Sequence, residues 1–393
     1  MFCFLIFVKI LSKMQIKYDY IFAGAGLASL MILDKMMNNK LLEGKKVLLL
    51  EPNDKNNNDR TWCFWEDKLG DFESLVSKKW QQALFINEKA TIECLADGTN
   101  YKMIESIRFY YYVFDKLKKH SEISCKKESF IAFEDKKSHV IVTSNVAKYA
   151  TFKFFNSVFD VSKIEINKKH PLLKQHFIGW FVKTSNPIFN VNCATFMDFS
   201  IPQKGNTRFM YVLPFSPTEA LVEYTLFSAN LLQTQEYEVA INDYLKEKGA
   251  TSFEIVAKEQ GNIPMTIFPF WKNNSRNVLH IGTAGGWTKA STGYTFRNTI
   301  KQSEKLVGLL KKPTIDFRKF HQKNRFLFYD KIFVSVLYKD NDLGKKIFSN
   351  MFLRIKPKKI FNFLDETSNL KTELEIILAC PKIPFIKALL GFK

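Results

Sequence analysis

The sequence contains few residues of the kinds that build metal sites. Its six cysteines and six histidines are dispersed over 393 residues, with no CxxC pair and no histidine near a cysteine at metal-ligand spacing. Scattered cysteines favour a reducing compartment such as the cytosol, and this spacing argues against structural zinc. We therefore predict no metal site.

Long apolar runs are also missing. No segment approaches the ~18 uncharged apolar residues of a membrane-spanning helix. The first residues, MFCFLIFVKILSK, are apolar but short, and they lack the basic start and the small-residue cleavage site of a signal peptide. We interpret residues 1–13 as an extension produced by an upstream start site, because Met14 is a second candidate start. A weak membrane anchor is the alternative.

Acidic residues are scarce relative to basic ones. The chain has 58 Lys and Arg but 39 Asp and Glu, which gives a formal net charge of +19. Such an excess suggests an anionic partner, either nucleic acid or anionic lipid. The excess is concentrated in residues 301–393, which are also rich in Phe and Leu. That combination favours a membrane surface, and no nucleic-acid-binding module is recognisable.

The stretch EALVEYTLFS places one carboxylate in an otherwise apolar strand. The alternation of a strand puts Leu221, Glu223, Thr225 and Phe227 on one face. A buried carboxylate is costly, so it keeps its proton or finds a partner. By themselves these residues fit equally a strand end at the surface and a carboxyl group inside the protein.

A buried strand, a glycine turn and an amphipathic helix follow one another in KYDYIFAGAGLASLMIL. Gly24 permits the tight turn, and Gly26 lets backbone N–H groups approach a pyrophosphate at the helix N-terminus. The next apolar run, KKVLLLEP, predicts a parallel strand ending at Glu51, which is placed to bind an adenosine ribose. Ser29 occupies the third glycine position and should loosen the helix–strand contact slightly. These features predict a dinucleotide-binding domain.

A second strand and glycine turn lie far downstream. NVLHIGTAGGW runs into Gly282 and Gly285, and STGYTFRNTI, with Gly293, opens a helix. A second glycine turn at a helix N-terminus suits the pyrophosphate and ribitol of a flavin, whereas a nicotinamide cofactor alone does not require it. We therefore predict that the nucleotide-binding domain is assembled from both ends of the chain.

Several motifs together resemble the flavin-dependent lycopene beta-cyclases of carotenoid synthesis. They occur in the order of that family and cover roughly residues 15–310, whereas the basic C-terminal part resembles the family only loosely. DRTWCFWE and the pair GTAG and STGY are the more specific ones. The motifs are FAGAGLAS, DRTWCFWE, ATFKFFNSVFD, QHFIGWFVKT, ATFMDFS, MYVLPFSPTEALVEYTLFS, GNIPMTIFPF and GTAGGWTKASTGYTFRNT.

The resemblance implies an α/β fold like that of the aromatic hydroxylases with a single FAD. In that fold a Rossmann-like, three-layer FAD/NAD(P)-binding domain carries an inserted α+β substrate domain built on a β-sheet, here followed by C-terminal helices. The expected limits are 14–75, about 105–165 and 272–310 for the FAD-binding domain, about 76–104 and 166–271 for the substrate domain, and 311–393 for a basic, membrane-facing helical region.

The resemblance also implies an activity, the closure of β-ionone rings on lycopene to give γ-carotene or β-carotene. This isomerisation adds a proton to a terminal double bond, closes the ring on the carbocation and removes a proton, so it needs a protonated acid and a dry site. Glu223 is the counterpart of the acid proposed for the family, and an apolar cavity would keep it protonated. Reduced FAD, with NADPH or NADH as reductant, is the implied source of stabilising negative charge.

Further site residues follow from the matching motifs. Trp62 and Trp65 are candidates for cation–π support, with core packing as the alternative for at least one of them. Asp198 and Phe227 are candidate substrate-lining residues, and Asp198 fits a structural role about as well. The predicted cofactor-binding residues are Gly24, Ala25, Gly26, Leu27, Ala28, Glu51, Arg60, Gly282, Thr283, Ala284, Gly285, Thr292 and Gly293.

Two other functions stay open, and membrane contact is expected. An FAD-dependent monooxygenase of the same fold would couple NADH consumption to oxygen uptake, and a non-catalytic carotenoid- or lipid-binding flavoprotein would form no product. Because lycopene dissolves in the bilayer, we expect a cytoplasmic protein bound peripherally to an anionic membrane. The candidate contact is segment 344–364, where Phe and Leu alternate with Lys and Arg. A solvated helical face over ordinary core residues is the alternative.

Overall fold

The computed structural model describes residues 17–95, 98–164, 166, 170–322 and 324–391. The predicted extension over residues 1–13 lies outside these ranges. The described strands are β1 (Tyr18–Ala23), β2 (Val47–Leu50), β3 (Thr61–Glu66), β4 (Lys78–Trp80), β5 (Gln82–Asn87), β6 (Ala90–Glu93), β7 (Asn100–Glu105), β8 (Ile123–Lys126), β9 (Phe130–Asp135), β10 (Val140–Ser144), β11 (Lys148–Asn156), β12 (Leu172–Thr184), β13 (Cys193–Asp198), β14 (Thr207–Pro214), β15 (Glu219–Ser228), β16 (Phe253–Thr266) and β17 (Val278–His280).

The described helices fall mostly in the two ends of the chain. They are α1 (Leu27–Asn38), α2 (Ser106–Leu117), α3 (Thr234–Glu247), α4 (Phe296–Leu310), α5 (Arg325–Lys339), α6 (Leu343–Arg354), α7 (Pro357–Leu364), α8 (Leu370–Ala379) and α9 (Lys382–Leu390). Within the described ranges, no helix combines the length and the apolar character that crossing a bilayer requires.

The first sheet is parallel at its centre. Its strand order is β8-β2-β1-β11-β10-β9, and β17 pairs with β11. Strand β1 lies between its parallel partners β2 and β11, and β17 is also parallel to β11. The two strands predicted around the first glycine turn are therefore confirmed as parallel neighbours, and the downstream strand joins the same sheet.

Helices α1, α2 and α4 cover one face of this sheet. Leu30 of α1, Phe109 of α2 and Leu306 of α4 belong to one buried core with Phe22 and Leu49 of the sheet. The other face packs with apolar residues of β9 and β10. Because both faces are covered, the parallel strands are almost continuously apolar, as is usual for such sheets.

The second sheet occupies the middle of the chain. Its order is β16-β12-β15-β14-β13-β5-β6, and it is antiparallel except where β13 meets β5. The stretch EALVEYTLFS is the single strand β15. One face of β15 packs on α3 through Val222 and Leu226, and the other carries Leu221 and Phe227 in the core shared with the C-terminal helices. The predicted alternation of β15 is thus confirmed.

A small third sheet and the C-terminal helices complete the molecule. Strands β3, β7 and β4 pair antiparallel, and their side chains contribute to both large cores. Helix α6 closes the second sheet, since Phe352 stacks on Phe85 at 4.5 Å and Phe348 stacks on Phe199 at 5.8 Å between ring centroids. The helices therefore cover the face of the sheet that carries Glu223.

Candidate active site

The first glycine turn lies at the C-terminal end of β1. Gly24 has a φ of +85°, a conformation that L side chains rarely adopt, and Gly26 is the N-cap of α1. A Cβ on Gly24 would lie 2.5 Å from Ser157 Oγ, whereas a Cβ on Gly26 meets open space. Glu51 Oε2 orders the turn by accepting a hydrogen bond from the Ala25 N–H at 2.7 Å. The N-terminus of α1 therefore faces space in which a phosphate fits.

The second glycine segment meets the first. Residues Gly282–Gly285 form a 3-10 turn after β17, and Gly282 has a φ of +58°. A Cβ on Gly282 would approach the Cβ of Ala28 in α1 to 3.1 Å. Because β1 and β17 are both parallel to β11, their C-terminal ends lie at the same edge of the sheet. The structure thus brings the two glycine segments together, although they are far apart in sequence.

The remaining predicted cofactor residues lie on these segments or just beyond them. Leu27 and Ala284 are buried, and Gly285 leaves no room for a side chain, because a Cβ would lie 2.1 Å from a backbone oxygen. The hydroxyl of Thr283 is hydrogen-bonded to a neighbouring threonine at 3.2 Å. Arg60 is exposed immediately before β3. Its guanidinium charge is therefore accessible to an anion in solution.

A largely apolar cavity of about 180 Å³ lies between the second sheet and the second glycine segment. Strand β15 contributes Leu221, Glu223, Thr225 and Phe227 to its wall, and Thr292 to Phe296 contribute another part. Helices α6 and α7 supply further wall residues. A cavity of ~150 Å³ holds a benzene-sized ring. This one therefore has room for one ring-sized group.

The cavity wall beside the glycine segment carries an unpartnered polar atom. Gly293 has a φ of +71°, and a Cβ there would lie 2.1 Å from Gln175 Oε1 of β12. Among the described residues, this buried oxygen has no hydrogen-bond partner. A buried acceptor without a donor is costly. The amide of Gln175 packs closely against Gly293, and this position has no room for a larger side chain.

Glu223 is buried in the cavity wall, so the interpretation of this residue as a surface carboxylate is wrong. It is 8% exposed at the centre of β15. Burial raises the pKa of Glu223 well above its usual value, and the neighbouring Glu259 raises it further. Thr225 Oγ1 lies 3.5 Å from Glu223 Oε2. The carboxyl group thus holds its proton to a higher pH than an exposed glutamate does, and it faces the cavity, where it can act as an acid.

Glu259 is a partner of Glu223 that the motifs do not single out. On β12, Gly179 pairs with Glu223 of β15 on one side and with Glu259 of β16 on the other. The two carboxyl side chains meet over this glycine, because a Cβ at Gly179 would lie 2.7 Å from Glu223 Cγ and 3.3 Å from Glu259 Cγ. Thr61 Oγ1 also donates to Glu259 Oε2 at 3.2 Å. The available sequence signal was a glycine inside a predicted strand, which often marks a close approach.

Aromatic side chains surround the acid. Trp62, Tyr101, Tyr211 and Phe227 line the cavity, and the hydroxyl oxygens of the two tyrosines lie 2.8 Å apart. Burial raises the pKa of both tyrosines well above the usual value, so both stay neutral. Aromatic faces attract cations. This wall therefore suits a positively charged, otherwise apolar guest, and Trp62 and Phe227 are placed to contact it.

Among the described residues that line this cavity, Trp65 is absent. Its ring stacks on Phe361 at 4.7 Å between centroids, and its Nε1 donates to Asp365 Oδ2 at 2.9 Å. Both contacts join β3 to the C-terminal helices. The substrate-lining expectation for Trp65 is therefore corrected to core packing, which was its alternative.

Asp198 also lies outside the described cavity lining. It is fully buried at the end of β13, where it accepts a hydrogen bond from the Tyr244 hydroxyl at 2.9 Å. Lys248 forms an ion pair with it at 3.1 Å, and Ser200 donates to its other oxygen. These partners tie the sheet to α3 and the residue that follows it. The substrate-lining expectation for Asp198 is corrected to a structural role.

The predicted membrane-contact segment 344–364 turns its aromatic side chains inward. Phe348 and Phe352 line the cavity, and Ile347 and Ile360 are fully buried. These side chains are therefore ordinary core residues of a helical region whose other face is solvated, which was the alternative to membrane contact. Within this segment Leu353 is exposed, and a denser group of exposed apolar side chains lies on α8 and α9, namely Leu370, Leu374, Ile377, Leu378, Ile383, Ile386, Leu389 and Leu390.

A buried ion-pair network anchors the second glycine segment. Lys289 Nζ lies 3.1 Å from a carboxylate oxygen of Asp330 and 3.1 Å from one of Glu366. The backbone oxygen of Lys289 accepts a hydrogen bond from the Gly293 N–H at 2.8 Å. The loop that lines the cavity is therefore fixed to α5 and to the segment after α7.

Solved flavoprotein structures share this architecture. A flavoprotein/dehydrogenase from Cytophaga hutchinsonii has a TM-score of 0.58 at 13% identity over 96% of this chain and 100% of that chain. The halogenase PltM in complex with phloroglucinol and FAD has a TM-score of 0.56 at 11% identity over 94% and 87%. The Diels-Alderase PyrE3 of pyrroindomycin biosynthesis reaches 0.60 at 11% identity over 90% and 81%. The predicted fold class, the Rossmann-like α/β fold of FAD-dependent flavoproteins, is confirmed.

Sequence relatives give the family. The family model described as "Lycopene cyclase protein" matches residues 19–390, and the chain belongs to this family. The lycopene beta-cyclase of Pantoea ananas is 25% identical over 312 residues, 75% of each chain. The lycopene beta-cyclase of Paracoccus sp. is 30% identical over 147 residues, which cover 36% of this chain and 38% of that relative. The resemblance drawn from the motifs is confirmed.

Proposed function

We propose that this chain is an FAD-dependent lycopene beta-cyclase, which closes β-ionone rings on the acyclic ends of lycopene without net oxidation. The observation that carries the proposal is the buried carboxyl group of Glu223 in the wall of an apolar, aromatic-lined cavity, where burial raises its pKa. The relatives named lycopene beta-cyclase support the same chemistry.

Glu223 is the proposed acid. Its proton passes to a carbon of the terminal double bond, and the neighbouring double bond attacks the resulting carbocation to form the ring. A proton then leaves the ring to give the ring alkene, so one proton enters and one leaves. The burial that raises the pKa of Glu223 keeps its proton in place until the substrate arrives.

The cavity wall protects and stabilises the cation. Trp62, Tyr101 and Phe227 present aromatic rings to the space beside Glu223. Apolar side chains such as Leu221 exclude water, which would trap the cation as an alcohol. The volume of about 180 Å³ accepts one ring-sized end of the substrate. The remaining polyene then extends out of the cavity.

The glycine segments would hold the cofactor. Gly24, Gly26 and Glu51 fit a dinucleotide at the N-terminus of α1, where the position beside Gly26 is open. Gly282, Thr283 and Gly285 follow β17 at the same edge of the sheet and would contact the cofactor from the other side. When bound in its reduced, anionic form, FAD supplies negative charge that stabilises the carbocation. NADPH or NADH is the expected reductant.

We further propose that α8 and α9 rest on an anionic membrane from which the substrate is loaded. These two helices carry eight exposed large apolar side chains within 21 residues, from Leu370 to Leu390, and clustered exposed apolar residues are typical of a membrane or protein contact. Lys371, Lys382 and Lys387 are exposed on the same helices, and each lysine near an anionic surface contributes ~1 kcal/mol. Both α6 and α7, which line the cavity, contact α8. This contact supports the proposal of a protein bound peripherally at the cytoplasmic face of the membrane.

Pigment chromatography of lycopene-accumulating bacterial cells that express the chain tests the proposal. The unaltered chain should convert lycopene to γ- or β-carotene, and Glu223→Gln should fold and bind FAD but form no rings. Glu219→Gln is a matched control, since Glu219 begins the same strand and is partly exposed. Ring formation by Glu223→Gln would remove Glu223 as the acid.

The same cultures separate the alternatives. If lycopene persists although the purified protein carries FAD, the proposed substrate is wrong. NADH consumption coupled to oxygen uptake would then identify a monooxygenase. Retained carotenoid binding without any product would identify a binding protein.

A further inference from the structure

A second carboxyl group, that of Glu259, lies beside the proposed acid Glu223. Glu223 lines the cavity, whereas Glu259 is half-buried on β16 and lies outside the cavity lining of the described residues. Strand β16 is an edge strand of the second sheet, and Glu259 is partly exposed there. The pair of carboxyl groups therefore extends from the cavity toward solvent at this edge of the sheet.

The register of the strands enforces this pairing. Glu223 and Glu259 both face Gly179, one from each neighbouring strand. A Cβ at Gly179 would lie 2.7 Å from Glu223 Cγ and 3.3 Å from Glu259 Cγ. Any side chain at that position would thus separate the carboxyl groups. Thr61 holds the outer carboxylate by a hydrogen bond from its hydroxyl.

We propose that Glu259 is a proton-relay and positioning residue, through which Glu223 exchanges its hydrogen with solvent between turnovers. The inference rests on the proposed function, because it assigns a route to the proton of the same reaction. A purely structural role for Glu259 predicts no such exchange.

The relay balances in protons and charge. After Glu223 has given its proton to the substrate, its carboxylate captures the proton that leaves the ring. That hydrogen passes to the adjacent carboxyl group of Glu259 and is exchanged there with water. A solvent hydrogen returns by the same route, so Glu223 is again protonated and nothing is oxidised or reduced.

Isotope labelling tests the relay. FAD-loaded enzyme with its reductant is run for many turnovers on lycopene vesicles in D₂O, and the product is examined by mass spectrometry. The unaltered enzyme should incorporate about one deuterium per ring, because each ring receives one proton from the acid. Glu259→Gln should still form rings but with severalfold less deuterium, because Glu223 then reuses hydrogen taken from the preceding substrate.

Matched variants separate the relay from a structural effect. Glu259→Asp keeps a carboxyl group and should restore labelling, and Glu254→Gln, on an exposed position of the same strand, should label like the unaltered enzyme. Glu259→Ala provides a second carboxyl-free variant. If Glu259→Gln and Glu259→Ala both incorporate as much deuterium per ring as the unaltered enzyme, even with slower ring formation, the relay is overturned. Low deuterium incorporation by the unaltered enzyme would overturn it as well. Absence of rings from the unaltered enzyme would instead refute the proposed function.

Discussion

Gly179 and Glu223 are cross-strand neighbours, and the acid occupies the space that a side chain at position 179 would fill. Gly179→Ala should therefore displace the carboxyl group. Because a misplacement of about 1 Å can cost ~100-fold in rate, we expect ring formation to fall at least tenfold, with an overpacking cost of ~1–3 kcal/mol. Pigment analysis and urea unfolding measure the two effects.

A control glycine makes the Gly179 prediction specific. Gly308 lies in α4, and a Cβ there meets nothing within 4 Å. Gly308→Ala should retain activity and gain up to ~1 kcal/mol, because alanine favours a helix more than glycine does. Full activity in Gly179→Ala would show that Glu223 does not need this space.

Gly24→Ala should release the cofactor. The new methyl group would lie 2.5 Å from Ser157 Oγ, and the φ of +85° is strained for alanine. We expect the flavin absorbance of the purified protein to fall severalfold. Gly44→Ala carries a comparable strain at a φ of +67° but meets open space, so it controls for backbone strain alone. Equal flavin content in the two variants would contradict the assignment.

Lys289→Met should destabilise the protein strongly. It leaves the buried carboxyl group of Asp330 and the partly exposed one of Glu366 without their cation, and breaking a buried ion pair typically costs ~3–5 kcal/mol. Adding Asp330→Leu should recover part of this loss. Lys345→Met removes a surface ion pair with Glu88 and should cost at most ~1 kcal/mol. Urea unfolding of the three variants and the unaltered protein measures each effect. A similar cost for Lys289→Met and Lys345→Met would contradict the structural role of the buried network.

His176 should make stability depend on pH. Burial lowers its pKa from 6.5 to about 4, and it is hydrogen-bonded to Ser228 and Tyr237. The unfolded chain therefore binds this proton at higher pH than the folded one does. The contribution of His176 to the free energy of unfolding is fully present above pH 6.5. It falls by ~3 kcal/mol in all as the pH drops toward about 4.

Urea unfolding at several pH values between neutral pH and about pH 4 measures how steeply the free energy of unfolding depends on pH. His176→Gln should flatten it, although the substitution itself disturbs two hydrogen bonds. His120→Gln, at an exposed histidine, should leave the slope unchanged. An identical slope in His176→Gln and the unaltered protein would refute the prediction.

The surface of α8 and α9 should bind anionic vesicles. We expect co-sedimentation with anionic liposomes that weakens with salt, and Ile383→Glu/Ile386→Glu should reduce it severalfold. Val256→Glu changes an equally exposed apolar residue on β16 and should have no effect. Equal binding to neutral and anionic vesicles would contradict the electrostatic part of the proposal.

The sequence predicted the nucleotide-binding edge of the first sheet because the residues that form it are close together along the chain. A buried strand, a glycine that takes a positive φ and a helix N-terminus follow one another directly around Gly24 and Gly26. The alternation of β15 likewise placed Glu223 on the face of Leu221 and Phe227. The family motifs then connected the two glycine segments to one cofactor.

The rest depends on pairing between distant residues. The contact between Glu223 and Glu259 arises from the register of β15, β12 and β16, which neither segment encodes alone. The segment around Phe348 alternates aromatic and basic residues, a pattern that is the same whether the apolar face meets lipid or a protein core. Asp198 looked available for chemistry because its partners on and after α3 lie far along the chain.

The wall that Phe348 and Phe352 supply has a consequence for the timing of synthesis. These residues emerge from the ribosome long after Glu223, so on a nascent chain the acid lies on an open sheet face in contact with water. There its carboxyl group ionises as an ordinary glutamate does. Burial raises the pKa of Glu223 only after the C-terminal helices have been synthesised and have packed on the sheet. The proposed chemistry is therefore possible only from that point on.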